Sequence, residues 1–379
     1  MMALVRTCGK WIFVFAALGA AGAVYVGASY EVWGRRTVAV LTDKTKTVCV
    51  GRFLIDLPED AKFTLKMANL DGFDITRQLE TAEQFARWLF ERETKLGETL
   101  NMLGHKNVEL SKEIRGPDFS GRIFVHSRYR SYDVQDDRRV YHETVTIEGH
   151  LNKNGQTYSF HSEGDQPGRI AVAASMMRQL VSLRQDELST APGFCLDGAL
   201  IAGTGGNERH ESVTMFASLP GHPDLALAFW MNTGLDEGKG LLERDAASTD
   251  AFTRVRSQTL RAGTRTIRNL EGEEVGVRTI EMNFTTNFSF AWETRGSTNN
   301  ILVPRLLLEL DTGISPRAGG KPVQSSLSEE AAVQLWDRVL SSVRIRPTVP
   351  SKANEASTLP LLGPAPAAST GVAAYPATR

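Results

Sequence analysis

One pattern occurs twice in this chain of 379 residues, and it limits the fold more than any other feature. Val48-Cys49-Val50 opens a strand-like run that continues through Phe53-Leu54-Ile55 and stops at Pro58. Phe194-Cys195-Leu196 opens another, just after the break at Pro192-Gly193. Each stretch closes on an apolar stripe of helical period, and the two stripes finish alike: Arg178-Gln179-Leu180-Val181-Ser182-Leu183-Arg184 and Arg338-Val339-Leu340-Ser341-Ser342-Val343-Arg344. Strands and an amphipathic helix each have one apolar side to bury, and they bury it against each other. Doing so twice predicts two similar α+β units, residues 46–186 and 193–346. Identity between them is low, so either duplication or two separate uses of one helix pattern accounts for the likeness.

Within the first unit, Phe63–Met67 and several runs across 121–163 read as strands, with Asn154-Gly155 as a hairpin turn. Thr81 and Gln84 form a T-x-x-Q capping box before a helix whose Phe85, Trp88, Leu89 and Leu96 share a face. Ile170, Ala173, Ala174, Met177, Leu180 and Val181 predict a second helix. The second unit shows strand signals at Ser212–Ser218, Leu225–Met231, Arg265–Arg268, Val275–Phe284, Phe288–Glu293 and Ile301–Leu310. A weaker helix covers Leu241–Ala251. A last one is predicted behind a Ser326/Glu329 capping box, striped by Ala332, Leu335, Trp336, Val339 and Val343.

The ends differ from the body. In residues 1–30, Arg6 and Lys10 precede an uncharged apolar run, Trp11–Ala28, about long enough to cross a bilayer as a helix. Basic residues before such a run keep the N-terminus in the cytoplasm. The expectation is therefore a single-pass inner-membrane protein with its globular body in the periplasm. A cleaved signal peptide ending at Val26-Gly27-Ala28 is the alternative. Residues 31–45 are a polar linker. Residues 347–379 are rich in Pro, Ala and Ser, too poor in large apolar groups to offset ordering entropy, and predict a disordered tail. The exported part keeps two cysteines, Cys49 and Cys195, in a compartment that oxidises thiols. They are either bridged or separately buried as small hydrophobes.

Catalytic signatures are missing. No Gly-x-Ser-x-Gly exists for a serine hydrolase, and His142-Glu143 and His210-Glu211 lack the second histidine of a zinc-protease helix. Cys49 and Cys195 sit in apolar strands, poor places for a reactive thiolate. His126, His142, His150 and His161 lie on neighbouring strands, where packing or solvation explains them better than a metal does. Gly203-Thr204-Gly205-Gly206 reads as a loop rather than a phosphate cradle. A net charge of -1 and scattered Arg and Lys give no nucleic-acid surface. Arg128-Tyr129-Arg130-Ser131-Tyr132 and Arg138-Arg139-Val140-Tyr141 interleave cations with aromatics, a composition favoured at protein interfaces but also compatible with a solvated sheet face.

Cys49-Val50-Gly51-Arg52-Phe53-Leu54-Ile55-Asp56-Leu57-Pro58 resembles the opening of the immunity proteins that guard against the fourth class of type VI secretion lipase effectors. Phe194–Ile201, Phe290-Ala291-Trp292-Glu293 and Leu308–Gly313 resemble that family's second domain. The resemblance spans roughly residues 40–346. It implies a claw of two domains that binds a phospholipase toxin in the periplasm, with no catalytic, cofactor or metal residues. It transfers no individual partner-binding residue. The expected binding surface is the cleft between the two units. A dispersed-site envelope hydrolase, or an envelope assembly or small-ligand-binding protein, are the other classes considered.

Overall fold

The computed structural model describes residues 43–164, 168–184, 187–203, 209–236, 238–248, 251–298 and 300–348. Trp11–Ala28, Thr204–Gly206 and nearly all of the tail lie outside them. Among the described residues no helix is long and apolar enough to cross a membrane. The first half runs β1 (Thr45–Val50), β2 (Phe53–Pro58), β3 (Lys62–Leu70), β4 (Phe73–Leu79), α1 (Ala82–Gly97), β5 (Val108–Arg115), β6 (Phe119–Gln135), β7 (Arg138–Lys153), β8 (Gln156–Gly164), α2 (Arg169–Gln179) and β9 (Leu180–Ser182). The second runs β10 (Gly193–Leu196), β11 (Ala199–Ala202), β12 (Glu211–Leu219), β13 (His222–Asn232), β14 (Gly234–Leu235), α3 (Leu241–Ser248), α4 (Ala251–Arg256), β15 (Ser257–Ile267), β16 (Leu270–Ile280), β17 (Thr286–Glu293), β18 (Gly296–Ser297), β19 (Arg305–Thr312), α5 (Glu329–Ser342) and β20 (Arg344–Ile345).

β3 and β12 pair antiparallel and fuse the halves into one twelve-stranded sheet, ordered β15-β16-β17-β19-β13-β12-β3-β4-β8-β7-β6-β5. Outward from that joint, one half reads β3-β4-β8-β7-β6-β5 and the other β12-β13-β19-β17-β16-β15. Taken in chain order these are equivalent strands, so the halves share one topology. That agreement is more than two unrelated helices of similar pattern would produce. The small sheets are exchanged. The β1–β2 hairpin pairs with β20, and the β10–β11 hairpin pairs with β9. Each opening hairpin is completed by the strand that follows the other half's helix.

One continuous core runs through both halves on the inner face of the sheet, where α2 and α5 pack. Trp336 of α5 stacks on Phe290 of β17 at 5.5 Å. The helix ends differ from the sequence reading in two places. Leu180 and Val181 leave the helical stripe and form β9, pairing with Ile201 and Leu200. Ser328, not Ser326, caps α5, accepting from Ala331 N–H at 3.2 Å. Ser326 is held instead by Asp224 and His222. The Thr81/Gln84 box forms in full at α1. The expected helix over Leu241–Ala251 is two short ones. The strand expected from Ile301 starts at Arg305, because Asn300 turns the chain and Pro304 has no N–H to give a ladder.

Gly51 marks the junction of the two hairpins. Its φ is +59°, its N–H and C=O both bond to Cys195, and a Cβ there would strike the Met231 sulfur and lie 3.2 Å from Phe194 and Val213. Left-handed backbone costs an alanine about 1–2 kcal/mol and overpacking about 1–3 kcal/mol. Gly51→Ala is therefore expected to lower stability by about 2–5 kcal/mol in urea titration, and a wild-type midpoint would refute this reading of the junction.

Candidate partner-binding surface

The histidines gather, but around a carboxylate. Strand register brings His126, His150 and His161 to Glu148, at 3.4, 3.3 and 3.9 Å. Arg92 of α1 reaches the same carboxylate with two hydrogen bonds, 3.1 and 2.6 Å, and Trp88 of α1 lies edge-on to His150 at 4.6 Å. Burial alone would push the Glu148 carboxyl up. Hydrogen bonds to His150 and Arg92, with the His126 imidazole close by, outweigh it and hold the group well below the ordinary range. The cluster thus fixes α1 on the outer face of the sheet. His142 stands apart, beside Asp133 at 3.2 Å. Among the described residues no group of three His, Cys, Asp or Glu is placed to hold a metal ion. Cys49 and Cys195 are joined in a disulfide, with Cα atoms 5.9 Å apart, so neither offers a free thiol.

The Arg- and Tyr-rich run forms an arm. Pairing of β5 to β6 ends at Val108–His126, and pairing of β8 to β7 ends at Gly164–Val145. Beyond those points β6 and β7 continue alone as a two-stranded ribbon, from Tyr129–Thr144 to Gln135–Arg138. It leaves the sheet at a bulge, where Ser127 has φ +57° and donates its N–H to Asn107 at 2.9 Å. Bulges bend and twist a strand, which re-aims the residues beyond them. Asp136 and Asp137, both at positive φ, make the tight turn. Tyr132 meets Tyr141 across the ribbon at 5.9 Å, Arg139 covers Tyr132 at 4.6 Å, and Glu143 takes Arg128 and Arg130. Tyr132, Val134 and Tyr141 remain exposed.

The equivalent hairpin of the second half, β16–β17, also ends on exposed apolar residues. Met282 is 69% and Phe284 88% exposed. The apolar pattern of the sequence extends this strand through Phe284. The φ of Phe284, +64° in the turn closed by Glu281 and Thr285, ends the strand at Ile280 instead. Nothing in the local pattern separates a tip aromatic from a core one.

Residues 46–170 match the family model described as the Tle cognate immunity protein 4 N-terminal domain, and residues 187–348 match its C-terminal domain. The chain belongs to this family. Three solved structures have the fold of this member of the Tle cognate immunity protein 4 family. The apo immunity protein TplEi of the type VI secretion system of Pseudomonas aeruginosa is 23% identical, with a TM-score of 0.67 over 82% of this chain and 100% of that one. The Tle4–Tli4 complex is 24% identical, with a TM-score of 0.64 over 80% and 98%. TplEi from the same organism, complexed with "L" peptide, is 24% identical, with a TM-score of 0.62 over 80% and 99%. At these identities the likeness is one of fold. No curated protein sequence matches the chain.

Proposed function

We propose that this protein is the immunity partner of a type VI phospholipase effector. It binds the lipase and blocks it, without chemistry of its own, and so spares the membrane of the cell that makes both. The observation that carries this reading is that both domains of one immunity family match, in order, across a single continuous sheet. The body sits in the periplasm, on this reading, with Trp11–Ala28 holding it to the inner membrane. The two units are residues 46–186 and 193–346, and the lipase is gripped between their arms. Antiparallel pairing of β3 with β12 points the β6–β7 and β16–β17 tips in opposite directions on a flat sheet. Nine pairings separate β6 from β16. At a twist of about 20–25° each, they accumulate roughly half a turn, which swings both tips toward the same side.

An inhibitor that leaves even little lipase free fails, so an affinity of about nanomolar or tighter is expected. The test is the cognate lipase directed to the periplasm with and without this chain. Protection by the full chain and a stable complex on gel filtration support the reading. Unchanged toxicity with no complex overturns it.

A further inference from the structure

The middle of the outer face carries a surface that the arms leave unexplained. On β12, β13 and β19, alternate residues point away from the core. Register aligns Thr214, Trp230 and Leu307 in one row and Phe216, Ala228 and Glu309 in the next. Asp311 follows Glu309 on the same face, opposite Ala226 and Ser289. Helix α1 stands at one end of this face, bonded through Arg92 to Glu148, and α3 at the other, bonded through Arg244 to Glu293. Between them Trp230 is 43% and Phe216 41% exposed. An exposed sheet face is ordinarily polar, so apolar residues gathered there mark a contact surface.

The charge on this surface is incomplete. Among the described residues neither Glu309 nor Asp311 has an ion-pair partner. Burial pushes both carboxyls up, and Asp311 and Glu293 push Glu309 further. The cations nearby are engaged or distant. Arg305 is bonded to Glu293 and Asp236, Arg244 to Glu293, and Lys62 and Lys66 stand three strands away on β3. A half-buried carboxylate is destabilised until a cation joins it. An arginine is suited here, because its guanidinium can pair with a carboxylate while its plane covers an indole.

We propose that the outer face of β12, β13 and β19 is the docking site for an arginine or lysine of the lipase effector, flanked there by apolar residues that cover Trp230 and Phe216. This rests on the proposed function and assigns the central contact within it. The test is the affinity of the full-length chain for its cognate lipase by calorimetry, with folding of each variant checked by circular dichroism. Glu309→Lys is expected to weaken binding about 100-fold, because like charges facing each other across an interface are strongly disfavoured. Glu309→Gln removes the charge almost without changing shape, and removes a burial penalty rather than adding one. It is expected to fold as well as wild type and bind about 10-fold more weakly, with a shallower salt dependence. Trp230→Ala is expected to lose about 30-fold or more, as buried aromatic anchors do. If wild type binds and protects while Glu309→Gln and Trp230→Ala bind as tightly, the docking site is wrong and the immunity reading stands. If wild type itself does not bind the lipase, both fall. A free chain that dimerises, with Trp230→Ala abolishing the dimer but not lipase binding, also overturns the docking site.

Discussion

Glu211→Ala is expected to destabilise the protein by about 3–5 kcal/mol, the usual loss when one partner of a buried ion pair is removed. Arg52 donates to both carboxylate oxygens of Glu211, at 2.7 and 2.6 Å, and their side chains are 7% and 0% exposed. The pair links the exchanged β1–β2 region to β12, on the strand that joins the halves. The Arg52 carbonyl in turn accepts the N–H of Arg346, beside β20. Removing the carboxylate leaves a guanidinium buried without a counter-charge. Arg52→Met combined with Glu211→Leu removes both charges and is expected to recover most of the loss, because an apolar pair of similar volume is often neutral. Urea titration checks both variants. A loss under about 1 kcal/mol for Glu211→Ala would mean that water reaches the site.

Breaking the disulfide should cost almost as much. Cys49 and Cys195 are 146 residues apart in sequence. A cross-link closing a loop of that length restricts the unfolded chain by about 5 kcal/mol on the entropic model, and native disulfides usually contribute about 2–5 kcal/mol. Cys49→Ala with Cys195→Ala, or reduction of the folded protein, is expected to lower the unfolding free energy read from urea titration by an amount in that range. Peptide mapping without reductant should recover the Cys49 and Cys195 peptides joined. Two alkylatable thiols in protein made in an oxidising compartment would defeat the prediction.

What the sequence displayed was mostly local. The Thr81/Gln84 box located α1, and Asn154-Gly155, at φ +53° and +73°, is the turn it resembled. The repeated openings at Cys49 and Cys195 pointed to two halves of one plan, whereas the similar strings from Arg178 and Arg338 do not coincide, since Leu180–Ser182 is strand β9 and Leu340–Ser342 is still helix α5. What joins the halves depends on partners far apart in sequence, which leave no periodic trace. β3 is the clearest case. Lys62, Thr64 and Lys66 mark a strand with one face in water, a pattern that carries no sign of its place near the middle of the twelve-stranded sheet. β5 escapes a pattern search because its polar residues suit an edge, which it is. Phe216 and Trp230 are hidden for the opposite reason. A strand apolar on both sides reads as wholly buried, and only the register shows that these two face outward. The Ser326/Glu329 spacing satisfies a capping motif that the chain does not use, since Asp224 binds Ser326 first.

The exchange of hairpins sets an order of events for the growing chain. Phe53 and Leu54 of β2 are synthesised long before the Ile345 and Arg344 that pair with them. The first half can begin its sheet while the rest is being made, but it cannot close its own small sheet at any point in synthesis. A chain cut short anywhere before about residue 344 presents an unpaired strand edge, the kind of exposed backbone that proteases and aggregates seize on. Completion of the fold therefore certifies that the whole body has been made, and a half-length product should be cleared rather than accumulate as a working fragment.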